Sequence, residues 1–394
     1  MSIRATLEKW IHPVLLAVII LLLSFGAGFL RTAVHADSSF KKQLIGIALG
    51  LVLLAIAWVI DYRKLKDWIF PLFLLDIFLL ISPRIPGLSG TAKGASRWLT
   101  VPFTNISLFQ PSEPAKLVTI VLLAAIVANY EGIIDSWRDF AKLVGLSLIP
   151  FFAVMMQPDL GTGMVFIIIM LGLLLVGGAK SRYLLALLAA AAVLIPLVFW
   201  LNGFTYSEKR GDGGDYLLIK EYQLERLTVF LNPTKNTKRA AYNLNQSKIA
   251  IGSGGLKGKG LGEGTQSQLN FLPERSTDFI FSVLGEETGF TGCVMLMGLY
   301  LALLIVSLSI AASSSDIYGT LIVTGIISMW AFQILENAGM TMGIMPITGI
   351  PLPFMSYGSS FMVTNLAAVG MLLSIWRHRP YQSSLKGISH ELTL

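Results

Sequence analysis

The chain has 394 residues, of which 54% are hydrophobic and only 13% charged, with a mean hydropathy of +0.69. Soluble domains carry roughly 25% charged residues, so this composition excludes an ordinary soluble domain and demands an apolar solvent. The formal charge of +7 is a sum over loops between apolar runs; it carries topological information, and no nucleic-acid partner is expected.

Runs that reach or approach the roughly 17–25 residues needed to cross a bilayer predict about ten spans, at 13–30, 44–60, 68–82, 117–128, 143–156, 163–178, 183–201, 279–312, 317–335 and 361–376. The first follows Arg4 and Lys9 and precedes "VHAD". It is longer than the roughly 7–15 residues of a secretory h-region and reads as a retained helix. The eighth is overlong and broken by Glu286, Glu287 and Gly289. Three short basic loops, "DYRKLKD" (61–67), "AKSRY" (179–183) and "RHRP" (377–380), follow spans two, six and ten. An even count puts all three on one side with both termini, and the positive-inside rule makes that side cytoplasmic.

The expected fold is therefore an all-α polytopic integral membrane protein, a single membrane domain over 1–394. Two outer regions stand apart. A large extracytoplasmic loop, 202–277, separates helices seven and eight and is rich in glycine over 252–264. The segment "MGIMPITGIPLPFMSYGSS" (342–360) is apolar but punctuated by proline and glycine, so it cannot be a regular helix. Irregular backbone at membrane depth survives only where it is buried in protein or lines a cavity. This segment reads as re-entrant, capping an outer cavity before helix ten.

Several polar residues require explanation. In "PSEPAKL", Ser112 reads as a helix cap with Glu113 in the first turn, whereas Arg97 and Lys116 put cations on the face where positive charge is disfavoured. Asp159 in "QPDLGTG" reads first as a cap and second as a ligand. Asp76, Glu336 and Asn337 lie inside apolar runs and need interior partners. Glu274, Asp278, Glu286 and Glu287 fall within fourteen residues, beside a loop carrying Lys257, Lys259 and Arg275. Asp278 fits a helix cap equally well, but carboxylates mixed with cations suit loss of a hydroxyl proton with departure of an anionic leaving group. The lone Cys293, inside an apolar run, excludes an intramolecular disulfide. Four scattered histidines offer no metal-ligand spacing.

In order along the chain, "RW" with "FQPSEPAKL", "QPDLGTG", "NFLPERSTDFIFSVLGEETGF" and "MPITGIPLPFMSYGSS" resemble the SEDS family of bacterial cell-wall proteins, which holds the rod-shape, division and sporulation proteins RodA, FtsW and SpoVE. "QPDLGT" and "TGIPLPF" look closest to the RodA branch; Ser276 departs from the histidine common before "TDF". The resemblance implies a peptidoglycan glycosyltransferase that polymerises lipid II by inverting transfer, for cell elongation and shape, in the bacterial cytoplasmic membrane. It places the catalytic aspartate at Asp278 and the motif residues at Arg97, Glu113 and Lys116. Asp159, Lys257, Lys259, Glu274 and Arg275 join them as expected substrate-binding residues. The partners implied are undecaprenyl-pyrophosphate-linked glycan, membrane lipid and a class B penicillin-binding transpeptidase. No cofactor is evident, and a divalent cation, Mg or Mn, is left open. A lipid II flippase and a non-catalytic scaffold are the alternatives.

Overall fold

A computed structural model describes residues 10–34, 37–85, 89–92, 95–100, 107–208, 226, 229–230 and 239–380. Among them the long helices are α1 (Pro13–Ala33), α2 (Asp37–Val59), α3 (Ile69–Ile81), α4 (Ser112–Ala128), α5 (Trp137–Met155), α6 (Leu160–Val176), α7 (Ser181–Glu208), α8 (Arg239–Gly254), α9 (Ile280–Ala312), α10 (Ile317–Met342) and α11 (Ser359–Arg377). Of these α1, α2, α7, α9, α10 and α11 are each long and apolar enough to cross a membrane. The chain is a multi-pass membrane protein with an all-α body.

The helix ends follow local chemistry. His12 Nδ1 accepts the Leu15 N–H at 3.2 Å ahead of Pro13 in the first turn of α1. Asp316 accepts the Gly319 N–H at 2.8 Å and starts α10, which ends on Gly343 in a left-handed conformation. Inside α9, Gly289 has φ 66° and ψ −160°. That conformation breaks the helix at a residue which pays no Cβ penalty for it.

Most helices outrun the apolar runs that announce them, because their first and last turns are polar: α10 extends to Met342 and α7 to Glu208. Two connecting regions also hold more order than their composition suggests. A three-stranded antiparallel sheet, β1 (Ser89–Ala92), β2 (Ala95–Thr100) and β3 (Ser107–Phe109), lies between α3 and α4 in the order β1-β2-β3. The long connection between α7 and α9 carries α8, packed on α9 and α10.

The connections gather at two ends of the bundle. At one, Arg377 stacks on Trp10 at 3.8 Å, and Trp58 donates to the Trp10 carbonyl. There too, Tyr62 donates to Asp316 at 2.8 Å and Arg63 to the His378 carbonyl at 2.6 Å. Lys180 pairs with Asp135 at 2.9 Å on the neighbouring connections. At the other end, Arg84 donates to the Met156 carbonyl and Gln157 to that of Leu80. Arg275 and Gln268 there hold the C-terminal turn of α1 through the carbonyls of Ala33 and Thr32. The three basic loops thus divide from the glycine-rich loop and the irregular segment before α11.

Candidate active site

The segment from Gly343 to Gly358 has no regular secondary structure, yet Ile347, Thr348, Ile350, Leu352, Phe354, Met355 and Ser356 are all buried in it. Its backbone groups must find partners inside the protein, and several do so on the turn that precedes α9. Ser356 donates to the Thr277 carbonyl at 2.6 Å, and the Tyr357 N–H to the Ser276 carbonyl at 2.7 Å. The Asn337 amide donates to the carbonyls of Asp278 at 2.9 Å and Ile350 at 2.7 Å. Gln43 of α2 receives the Gly358 N–H at 3.0 Å, and Gly26 of α1 lies directly against the Phe354 carbonyl.

Asp278 is fixed by its own turn. The Glu274 carbonyl accepts the N–H groups of Thr277, Asp278 and Phe279, each at 3.1 Å, with Glu274 itself at φ 54°. The capping role weighed for Asp278 is not adopted: Phe279 is the N-cap of α9, with no side-chain capping bond. The carboxylate instead lies over Gly349. A methyl group at Gly349, where φ is 77°, would stand 3.0 Å from Asp278 Oδ2 and 3.2 Å from Arg226 Nη1. Arg226 also donates to the Thr348 carbonyl at 2.6 Å. Glu336, 1% exposed on α10, lies close to Thr348. Neither Glu336 oxygen nor the Thr348 hydroxyl reaches hydrogen-bond geometry with a described partner. A base-capable carboxylate, a guanidinium and a second carboxylate therefore converge on the dipeptide Thr348–Gly349.

Two further motifs lie nearby, one packed on this segment and the other on the first turn of α11. At the start of α6, Asp159 accepts the Thr162 N–H at 3.2 Å, the capping bond expected of it. The next turn packs on the segment, with a methyl at Gly161 falling 3.0 Å from Ile350 and 3.1 Å from the Thr348 carbonyl. At the start of α4, Glu113 and Lys116 form an ion pair at 2.8 Å, the side chains 5% and 2% exposed. Lys116 also lies over the Phe361 ring, and the Gln110 N–H donates to Ser360 at 3.0 Å. The N-cap of α4 is Pro111, which makes no side-chain capping bond, rather than Ser112.

The other expected residues are distributed around the turn system. Arg275 donates to the Ala33 carbonyl and to Asn270, each at 2.6 Å, and burial lowers its guanidinium pKa from the ordinary value. Lys259 pairs at 2.7 Å with Glu286, a fully buried carboxylate that also accepts Thr265 and the N–H groups of Gln266 and Ser267. This pins the glycine-rich loop onto α9. Lys257 is exposed on that loop. Arg97 falls in β2, its side chain outside the described residues.

Arg226 is the residue that inspection of motifs passes over. Its signal is weak but present: in "QLERLTVFLNP" it is the one cation of an otherwise largely apolar stretch in the long connection between α7 and α9. Among the described residues no three His, Cys, Asp or Glu side chains cluster as a metal site.

A family model described as cell cycle protein, covering FtsW, RodA and SpoVE, matches residues 5–381. The peptidoglycan glycosyltransferase MrdB of Escherichia coli K12 is 35% identical over 370 residues, 94% of each chain. Stage V sporulation protein E of Bacillus subtilis is 35% identical over 385 residues, covering 95% of this chain and 99% of its own. A chain from the solved structure described as "Structural coordination of polymerization and crosslinking by a peptidoglycan synthase complex" superposes with a TM-score of 0.76 at 29% identity. That match covers 94% of this chain and 98% of that one.

Proposed function

The chain belongs to the cell cycle protein family of FtsW, RodA and SpoVE, and we propose that, as a peptidoglycan glycosyltransferase, it joins lipid II into glycan strands at the outer membrane face. Its role is in cell elongation and shape, the branch favoured by "QPDLGT" and "TGIPLPF". The observation that carries the reading is the placement of the Asp278 carboxylate over Gly349 beside Arg226, on a turn held from below by Asn337.

The reaction joins a 4-hydroxyl to the anomeric carbon of a sugar carried on a lipid pyrophosphate. An α-linked donor and a β-linked product call for one inverting displacement and one general base. Asp278 takes the hydroxyl proton as the new C–O bond forms and the bond to pyrophosphate breaks. Negative charge growing on the departing pyrophosphate calls for fixed cations. Arg226 stands in the site, and Lys116 and Arg97 belong to the two motifs that flank it in the proposal. Glu113 holds Lys116 in place, and Asp159 braces the turn of α6 against Thr348 and Ile350. Lys257, Lys259, Glu274 and Arg275 frame the turn and loop over which the sugar head group enters. A divalent cation, where one takes part, is assigned to the substrate's pyrophosphate and not to a protein-built cage.

Ten apolar helices cross the membrane in this reading, with α8 in the outer loop and both chain ends cytoplasmic. A class B penicillin-binding transpeptidase is the partner that crosslinks the product. The deciding experiment supplies purified protein with lipid II, with and without that partner. Wild type should produce glycan polymer, Asp278→Asn none, and an EDTA arm reads the need for a divalent ion. A folded wild type that makes no polymer in either arrangement favours a flippase or scaffold instead.

A further inference from the structure

The break in α9 at Gly289 is filled by the glycine-rich loop. In a regular helix the N–H groups of Phe290 and Thr291 would donate to the carbonyls of Glu286 and Glu287. Here both sides of the gap turn to the loop. Phe290 donates its N–H to the Gly255 carbonyl at 2.8 Å, and Thr291 to that of Leu256 at 3.1 Å. The N–H groups of Lys259 and Gly260 in turn reach the carbonyls of Glu286 and Glu287, each at 3.0 Å. Backbone groups exposed by a helix break need such partners inside the protein. The fit leaves no room for a side chain at its centre. A methyl at Gly258, where φ is 78°, would stand 2.2 Å from the Glu287 carbonyl oxygen, and one at Gly289 2.4 Å from the Gly258 nitrogen. The ion pair between Lys259 and Glu286 fastens the same loop through side chains.

We propose that this loop is a splint that sets the angle of the outer part of α9, and that Gly258 and Gly289 are positioning residues acting through it on Asp278. The inference rests on the reading of Asp278 as general base. The outer part of α9 begins at Ile280, directly after the turn that carries Asp278. From Asp278 to Gly289 the chain spans about 16 Å at about 1.5 Å per residue, so roughly 4° at the break moves the carboxylate by about 1 Å. The bonds of Asn337, Ser356 and Tyr357 hold the turn at its other end and limit that swing. A straight α9 would satisfy Glu286, Glu287, Phe290 and Thr291 without the loop, because it remakes their own ladder bonds. Glycine at 289 favours the broken form, since its backbone conformation carries no Cβ penalty. Alanine there would favour the straight one.

The test uses the full-length protein with purified lipid II, comparing wild type, Gly289→Ala and Gly258→Ala in kcat, KM and melting temperature. A second preparation of each carries a nitroxide pair at Leu256→Cys on the loop and Val294→Cys on α9 beyond the break, in a Cys293→Ser background; the native leucine and valine are both exposed. Wild type should give one short, narrow distance between the labels. Both variants should lengthen and broaden it and lower kcat by about 10-fold with KM little changed, below the roughly 10²-fold that a free 1 Å displacement can cost. Gly289→Ala should melt near wild type. A displaced loop with wild-type kcat overturns the proposal, and so does an undisplaced loop at any rate. Should Gly258→Ala fail to fold, Gly289→Ala decides alone. A Gly289→Ala protein that fails to fold also overturns the proposal, because a straight helix is then no substitute for the splinted one. A folded wild type that forms no polymer overturns the glycosyltransferase reading and the positioning role with it, and the label distances still read the splint by themselves; polymer from wild type separates the two questions.

Discussion

Asn337 donates its side-chain amide to the carbonyl of Asp278 at 2.9 Å, and the same nitrogen reaches the Ile350 carbonyl at 2.7 Å. One buried amide thereby ties the turn before α9 to the irregular segment before α11, from a position on α10. The Thr348–Gly349 site lies at the junction of these three pieces, so this amide shares in setting its geometry with the Ser356 and Tyr357 bonds to the same turn.

Replacing Asn337 by alanine should leave two carbonyls short of a donor at about 1–3 kcal/mol for each left unsatisfied. Asn337→Asp should fare no better, since a carboxylate offers these carbonyls no hydrogen. Both variants should melt at lower temperature in detergent and lose polymerisation out of proportion to their loss of folded protein. A shift of about 1 Å in a catalytic group is enough for a 10²-fold loss. Thermal melts and lipid II polymerisation on one preparation check the pair of effects.

Gly349→Ala separates geometry from stability. The residue sits at φ 77°, and the added methyl would press on Asp278 Oδ2 at 3.0 Å. Left-handed backbone costs a residue with a Cβ about 1–2 kcal/mol, a modest fraction of what a large membrane bundle holds. The carboxylate and Arg226, however, must give by a few tenths of an ångström. Polymerisation should fall, by less than the roughly 10²-fold of a 1 Å displacement, while the protein remains folded by size-exclusion profile and melting curve. Retained activity would remove Gly349 from the site.

How far the sequence shows this site depends on the kind of signal each part gives. The apolar runs mark the helices well, because a lipid-facing helix must be apolar over most of its length; they miss polar first turns, as at Asp37 in α2 and Ser112 in α4. The proline and glycine pattern of 342–360 announces irregular backbone, and the structure buries that backbone against Ser276, Thr277 and Asp278. Local pattern also gives the Asp159 cap. It does not give the orientation of Asp278, since an aspartate before a helix is a cap by default, and only the packing of Gly349 shows the carboxylate directed elsewhere. Arg226 is out of reach for the same reason: its neighbours in space, Asp278 and Thr348, are distant in sequence, Thr348 by 122 residues. The two glutamates of "GEETG" divide as well, with Glu286 spent on holding the glycine-rich loop and Glu287 accepting Thr32 at 3.0 Å.

The buried pair Glu113–Lys116 allows a direct comparison of structural and substrate roles. Removing either partner strands a charge in the interior, and such single changes cost about 3–5 kcal/mol, whereas replacing both with apolar residues is often close to neutral. Glu113→Gln and Lys116→Met should each destabilise strongly, and Glu113→Leu with Lys116→Met should recover most of the loss in a double-mutant cycle read by melting. If Lys116 also meets the pyrophosphate, the stable double variant should still polymerise poorly. A double variant that is both stable and active would confine the pair to a structural part.

Sidedness is the remaining premise, and the two gathered ends of the bundle make it measurable. Lys64 is exposed on the connection whose neighbours Tyr62 and Arg63 join Asp316 and His378, whereas Glu263 is exposed on the glycine-rich loop at the end of the bundle where α9 begins. The chain contains a single cysteine, Cys293, so Cys293→Ser provides a clean background. Lys64→Cys and Glu263→Cys, made separately, are then treated with a membrane-impermeant maleimide before and after permeabilisation of the cells' inner membrane. The basic connections should be cytoplasmic, so Glu263→Cys should label in intact spheroplasts and Lys64→Cys only after the membrane is opened. The opposite pattern would put Asp278 in the cytosol, on the wrong side of the membrane for building a wall, and would end the polymerase mechanism whatever the chemistry of its carboxylate.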